Sequence, residues 1–286
     1  MLYTIENDVL RASIDSVGAE LRSLQSKADG FEYIWGGDEA VWGGSAPILF
    51  PFVGGVKDSL FCYGGAQYPM QKHGFARESV FSATPCGADT LEFVLTSDRH
   101  TLACYPFAFH LTVRFSLQGH TLHASHTVHN AGSGDMWFSI GAHPGFVCRA
   151  GDVLRFSLPE QIEAYRLQNG LLGGKEPFLC DSDCWMIADE PFVRDAYILE
   201  GLKSTRIALE RADSSHPLLF HFGAPYLGIW KKPGANYLCL EPWFGIDETP
   251  DHDHELTHKV GVEQLSPGGN FALHYAIEAS QQAKLR

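Results

Sequence analysis

The sequence predicts an all-β fold, a large sandwich of antiparallel strands. Three observations predict it: apolar residues recur at every second position in segment after segment, Gly, Pro, Asn and Asp punctuate nearly every interval, and no convincing amphipathic helix interrupts the pattern. Many short strands joined by turn chemistry bury their apolar faces by stacking sheet on sheet.

The elements follow in order. "TLEFVLTSD" alternates Leu91, Phe93 and Leu95. "AFHLTVRFSLQ" places Phe109, Leu111, Val113, Phe115 and Leu117 on one face and His110, Thr112, Arg114 and Ser116 on the other, the signature of a half-buried strand. Gln118-Gly119-His120 makes a turn, and "TLHASHTVHN" returns with Leu122, Ala124 and Val128 alternating against His123, Ser125, Thr127 and His129, so the two form a hairpin. "PLLFHFG", "NYLCLEPW" and "FALHYAIEA" also have the character of strands, and "GVEQLSPGG" that of a strand and turn. "VRDAYILEGLKS" is ambiguous, and "LQNGLLGG" carries too much glycine for a helix. With no internal repeat, low-complexity linker or composition shift, residues 1–286 are expected to form one domain, a length that large all-β folds reach.

Composition narrows the function. At 45% hydrophobic and 12% aromatic the chain can build a substantial core. Its net charge of −13, without a basic run, argues against non-specific binding to nucleic acid or an anionic membrane. A small neutral substrate fits that charge. "MLYTIENDVL" has no basic region followed by an apolar stretch, and no later apolar run spans a bilayer, so neither a signal peptide nor a membrane helix is expected. The seven cysteines are scattered without a CxxC pair, which points to small buried hydrophobes in a reducing cytoplasm and not to a disulfide framework.

"DHDHELTH" contains His254-Glu255-Leu256-Thr257-His258, a formal H-E-x-x-H zinc pattern, and Glu278 is available in principle as a third ligand. That chemistry needs both histidines on one face of a long helix. Pro250 before the stretch and Gly261 after it oppose such a helix, and fourteen histidines make a chance match easier. The stretch is read as a polar loop, and no metal ligand is assigned.

Three other segments break the strand pattern with polar residues that core packing does not require: "QKHGFAR", with His73 and Arg77; "SIGAHPGF", with His143; and "YLCLEPWFG", with Glu241 and Trp243. Pro144 and Pro242 lack the N–H that a ladder needs, so each is expected to end a strand and leave His143 and Glu241 where strands meet loops.

These motifs, in order with "NDVLRASIDSVGAELRSL", "WGGSAPILFPFVGGVKD" and "LSPGGNF", resemble the aldose 1-epimerase (galactose mutarotase-like) family, nearest to its bacterial LacX-type branch. The resemblance runs almost end to end. It implies the galactose mutarotase-like supersandwich and interconversion of the α and β anomers of an aldose, with a small-molecule sugar as partner and neither metal nor organic cofactor. By position in the motifs, His143 corresponds to the family's general acid, Glu241 to its general base and His73 to a second histidine contacting the sugar. Asp195 of "RDAYIL" corresponds more loosely to a substrate-binding aspartate.

Ring opening requires a base to take the C1 hydroxyl proton and an acid to protonate the ring oxygen, here from opposite sides of the hemiacetal. Each such group contributes typically ~10²–10⁴-fold. A histidine near pKa ~6.5 and a glutamate near ~4.3 start with suitable protonation at neutral pH. Trp243 is the aromatic best placed to stack on the sugar, with Trp42, Phe50 and Phe75 also near the motifs. The segment before the His-Gly motif lacks the arginine that many relatives carry. That favours an unphosphorylated aldose and leaves galactose itself open. Arg77 either takes that arginine's place or makes a structural ion pair. Two rival readings keep the fold: a non-catalytic carbohydrate-binding or regulatory protein, and a mutarotase for a sugar phosphate.

Overall fold

The alternating segments fold as the strands they predict. The computed structural model describes residues 1–279. Phe109–Gln118 and Thr121–Asn130 pair antiparallel, from Thr121 opposite Gln118 to Asn130 opposite Phe109. Burial keeps the period: Phe109, Leu111, Val113, Phe115 and Leu117 are all at most 2% exposed. At ~25 cal/mol per Å², each such phenylalanine contributes a few kcal/mol to folding.

Asn270–Ala279 pairs on one side of this hairpin and Thr90–Thr96 on the other. Beyond Asn270–Ala279 the sheet continues through Leu218–Phe222, Arg206–Glu210, Val153–Gln168, Tyr197–Glu200, Tyr226–Trp230, Tyr237–Phe244, Ile140–Ala142 and Ile48–Leu49. The described residues place fifteen strands in it, all paired antiparallel. Strands far apart in this order face each other. Phe50, beside Ile48–Leu49 at one end, meets Phe109 near the other with ring centroids 5.0 Å apart, and Phe146 meets Phe220 at 5.5 Å. The sheet therefore forms the layers of a large antiparallel β-sandwich. Leu2–Glu6, Leu10–Asp15 and Glu20–Ser26 add a three-stranded sheet. No helix among the described residues is long and apolar enough to cross a membrane.

The segments without a clear period resolve for local reasons. "LQNGLLGG" is the tip of a hairpin between the sixteen-residue strands Val153–Gln168 and Leu171–Met186. Asn169 and Gly170 have φ of 55° and 77°, as a two-residue turn matched to strand twist requires. "VRDAYILEGLKS" divides between the 3₁₀ turn Glu190–Arg194 and the strand Tyr197–Glu200. The short helix Arg99–Cys104 buries no residue and so shows no amphipathic stripe; an Asp98–Thr101 capping box holds its start.

Pro144 and Pro242 behave differently. Pro144 lies in the break between Ile140–Ala142 and Gly145–Val147, as expected. Pro242 does not end its strand, which runs from Tyr237 to Phe244 with Pro242 opposite Leu227. Backbone N–H groups two residues apart leave the same edge, and Leu240 N donates to Pro144 O. The N–H that Pro242 lacks would thus point at the break around His143, where the ladder is already interrupted. Glu241 consequently sits inside a strand and not at its end.

His126 occupies the apolar face of its strand, between Ala124 and Val128, and is 3% exposed. Its Nδ1 has no hydrogen-bond partner and its ring packs 5.7 Å from Tyr275. Burial pushes its pKa down to about 3, against ~6.5 in water. Between these values the unfolded chain binds a proton that the folded chain refuses, so stability rises with pH across that window and falls on acidification. His126→Leu is expected to flatten this limb by up to about a few kcal/mol, measured as the difference in urea-unfolding free energy between mildly acidic and neutral pH. An unchanged pH dependence would show that His126 is protonated in the folded protein.

Candidate active site

The strand Tyr237–Phe244 organises a cavity of about 280 Å³. Its period of two turns Tyr237, Cys239, Glu241 and Trp243 to the same side. Neighbouring strands make room with glycine: Gly228 lies opposite Glu241 and Gly141 opposite Trp243. A Cβ on Gly228 would come within 2.9 Å of the Trp243 ring, and one on Gly141 within 2.6 Å.

His143 reaches the cavity from the break in the adjacent strand. Its Nε2 lies 3.1 Å from Glu241 Oε2, a contact without the alignment of a hydrogen bond, and both His143 Nδ1 and Glu241 Oε2 lack hydrogen-bond partners. Glu241 is 1% and His143 9% exposed. The imidazole is flanked by Trp42, with ring centroids 5.1 Å apart, and by Trp230, edge-on at 5.7 Å. Burial pushes the His143 pKa down to about 3 and holds the Glu241 carboxyl well above the usual carboxylate range. Both effects have one cause, since a dry site penalises either charged form. Burial thus disfavours the ion pair and favours the uncharged form of each group. The two groups stand in contact and not on opposite sides of a sugar-sized space. A hemiacetal can still meet both, because its ring and hydroxyl oxygens share C1 and approach from one side.

His73 enters on a strained backbone, with φ of 69° followed by 71° at Gly74. A Cβ on Gly74 would run into the carbonyl oxygen of Phe50, so glycine is required there. Gly54 N donates to His73 Nδ1 at 3.1 Å, which assigns the proton to Nε2. Burial and the Lys72 cation hold the His73 pKa well below its usual value, so the ring is a neutral donor.

All six residues singled out from the sequence line this cavity: His73, Arg77, His143, Asp195, Glu241 and Trp243. Asp195, at φ 68°, uses Oδ1 to accept from Ala196 N. Arg77 Nε is 3.6 Å from Glu78 Oε1, yet it is buried without a hydrogen-bond partner. Trp42 lines the cavity as well, whereas Phe50 is wholly buried in the core and packs with Phe75 at 6.3 Å.

Asp247 and Trp230, both on the wall, escaped the sequence reading. Asp247 is 1% exposed, its Oδ1 accepts from Gly55 N at 2.5 Å, and its Oδ2 has no partner. Burial raises its pKa. Asp247 lies six residues after Glu241, in "GIDE", with no pattern to mark it. A buried carboxylic acid between glycine amides and a cavity is evident only from the fold.

The HELTH stretch has another task. It forms bends and a 3₁₀ turn, Leu256–His258, with Leu256 buried. His254 Nε2 pairs with Asp58 at 2.9 Å and His258 Nδ1 with Asp253 at 2.8 Å, so each imidazole is bound to a different carboxylate. Just beyond, the buried Lys259 donates through Nζ to Ile246 O, next to Asp247. The loop thereby anchors the irregular segment that carries Asp247. A group with metal-like spacing does occur among the described residues, at His143, Cys239 and Glu241, whose donor atoms lie within 4.8 Å of one another.

Comparison with known proteins agrees with this architecture. A solved galactose mutarotase related enzyme from Lactobacillus acidophilus is similar to the chain at 30% identity, with a TM-score of 0.93 over 99% of this chain and 100% of that one. A galactose mutarotase-like protein from Lactobacillus casei ATCC 334 is similar at 28% identity, with a TM-score of 0.92 over 97% and 99%. The plasmid-borne protein LacX of Lactococcus lactis subsp. lactis is 27% identical over 290 residues, covering 93% of this chain and 95% of LacX. The family model for aldose 1-epimerase matches residues 1–249, and the chain accordingly belongs to the aldose 1-epimerase family.

Proposed function

We propose that the protein is a mutarotase that interconverts the anomers of a free aldose by acid–base ring opening and closure, in a reducing cytoplasm suited to its seven free thiols. The observation that carries this reading is the 3.1 Å contact between His143 Nε2 and Glu241 Oε2, two buried side chains on the wall of a cavity. Unpartnered polar atoms gather there: His143 Nδ1, Glu241 Oε2, Trp243 Nε1 and Asp247 Oδ2. Leaving such atoms unpaired costs about 1–3 kcal/mol each, a cost that the hydroxyls of a sugar relieve on binding.

The chemistry follows from the shared proton. When the sugar binds, the proton held by Glu241 passes across the 3.1 Å contact to His143; opening then moves that proton from His143 to the ring oxygen while Glu241, now a carboxylate, accepts the C1 hydroxyl proton. The ring-opened stage then holds neutral His143 and protonated Glu241, the partition that burial favours. The site is matched to the middle of the reaction and not to its ends, as catalysis by differential binding requires. Rotation about C1–C2 and closure, with both proton transfers reversed, give the other anomer and restore the pair. The indoles of Trp42, Trp230 and Trp243 supply apolar faces for the sugar's C–H surface. His73 donates through Nε2 to a sugar oxygen.

A second reading, a sugar phosphate as substrate, draws on Lys72 and Arg77 in the same wall. A guanidinium with an unpartnered Nε suits an anion.

Polarimetry tests the proposal. Fresh α-glucose, α-galactose and further aldoses should approach optical equilibrium faster with the protein, and glucose 6-phosphate in the same panel separates the two readings. His143→Ala and Glu241→Gln should each lower kcat by at least about 10²-fold with an unchanged circular dichroism spectrum. No acceleration of any sugar would leave a binding protein. The kcat/KM profile should stay flat through the usual histidine range, with its acid limb displaced toward pH 3 and its alkaline limb above the usual carboxylate range. A limb near pH ~6.5 would mean that a solvated histidine controls the rate. Asp247→Ala should raise KM about tenfold, the cost of one hydrogen bond to a buried polar group, with a smaller effect on kcat. An unchanged KM would remove Asp247 from the sugar's surroundings.

A further inference from the structure

Cys239 lies behind the catalytic pair on the same strand, two residues before Glu241 and on the same side. It is fully buried and makes no disulfide. Its thiol belongs to the small aromatic cluster with Tyr237 that Trp42 and Trp230 complete, and those two indoles also flank His143. One donor atom from each of His143, Cys239 and Glu241 lies within 4.8 Å of the other two, and all three residues are buried. A tetrahedral zinc ion with bonds of ~2.0–2.3 Å needs its ligand atoms roughly 3.3–3.8 Å apart. The His143–Glu241 separation of 3.1 Å is already close to that, and the sulfur, within 4.8 Å of both, has at most about 1 Å to close. Two further facts point to a ligand. Glu241 Oε2, 3.1 Å from His143 Nε2, is buried without a partner, and the cavity leaves an open side from which a fourth ligand, water, can approach.

We infer that His143, Cys239 and Glu241 form an inhibitory site for a thiophilic divalent cation, zinc being the ion of matching geometry, that binds across the catalytic pair. A nitrogen, a thiolate and a carboxylate form a donor set suited to zinc, and the soft thiolate disfavours magnesium and calcium. Binding converts the Cys239 thiol to thiolate and the Glu241 acid to carboxylate, and two protons leave through the cavity mouth. The cation's two positive charges are then balanced by two ligand anions, while neutral His143 contributes a lone pair. The bound ion occupies the imidazole nitrogen and the carboxylate that ring opening requires, so sugar turnover stops until the metal is removed.

Cobalt(II), a spectroscopic substitute for zinc, tests the site directly. Full-length protein without a histidine tag, stripped with chelator, should bind one equivalent of cobalt and show the near-ultraviolet thiolate-to-cobalt charge-transfer band. Cys239→Ser should lose that band, whereas Glu241→Gln should keep it with affinity weakened by at least about tenfold, the lower end of what losing even an outer-shell partner costs. Absence of the band in the unsubstituted protein, or its persistence in Cys239→Ser through another thiol such as Cys180 or Cys184, would overturn the inference. If Cys239→Ser fails to fold, the weakened binding of Glu241→Gln and His143→Ala decides the matter, and unweakened binding in both refutes the site. A second arm rests on the mutarotase reading. Micromolar zinc should slow mutarotation reversibly, with EDTA restoring the rate, and the ratio of rates with and without zinc should approach one in Cys239→Ser. Equal inhibition of both forms would refute the site. The cobalt band does not depend on turnover, so its loss and the failure of the mutarotase reading remain distinguishable.

Discussion

The rest of the structure depends on one buried contact, His143 against Glu241. An imidazole and a carboxyl so placed in water would be a charged pair. Here the strand Tyr237–Phe244 is buried almost throughout, and the two indoles on His143 exclude solvent further. Under those conditions neither group sustains its charge, and the pair keeps one mobile proton in place of a salt bridge. Burial of this kind is costly for stability. It is tolerated because the sandwich around it contributes far more than one unsatisfied pair removes.

Precision at the pair comes from the backbone around it. Glycine at 228 and 141 lets Glu241 and Trp243 lie close against neighbouring strands, where any larger residue would displace them. The break in the partner strand at 143–144 serves two needs. It frees His143 from ladder geometry and absorbs the missing N–H of Pro242, so a proline persists inside a central strand beside the buried Glu241 carboxyl. On the opposite wall, the Gly54–Gly55 backbone donates to His73 on one side and to Asp247 on the other. A single peptide stretch thereby orients two groups that face the cavity. The HELTH loop supports that wall from outside the cavity, because Lys259, which follows it, donates to Ile246 O beside Asp247.

Much of the fold was legible in the sequence because period-two burial is a local property. Phe109 to Leu117 face inward in the pattern they spell out. The exceptions are instructive. His126 sits in the apolar row because a neutral imidazole can be buried at a pH-dependent cost, which no hydropathy pattern registers. The Asn169-Gly170 hairpin has its own local signal, the Asn-Gly pair that a two-residue turn favours, which an apolar period does not register.

The sequence by itself determined the strand content, the antiparallel class, the family resemblance and the motifs that carry His73, His143 and Glu241, since each is written in neighbouring residues. Only the tertiary structure decided that burial disfavours charge on the pair, that Glu241 lies within a strand, that Asp247 and Trp230 join the wall, and that Cys239 stands behind the pair. It likewise separated the two HELTH histidines onto different carboxylates. Most of these points turn on burial and on contacts between remote residues, such as Gly55 with Asp247, 192 positions apart, and His254 with Asp58, 196 apart, which arise only when distant segments are packed together.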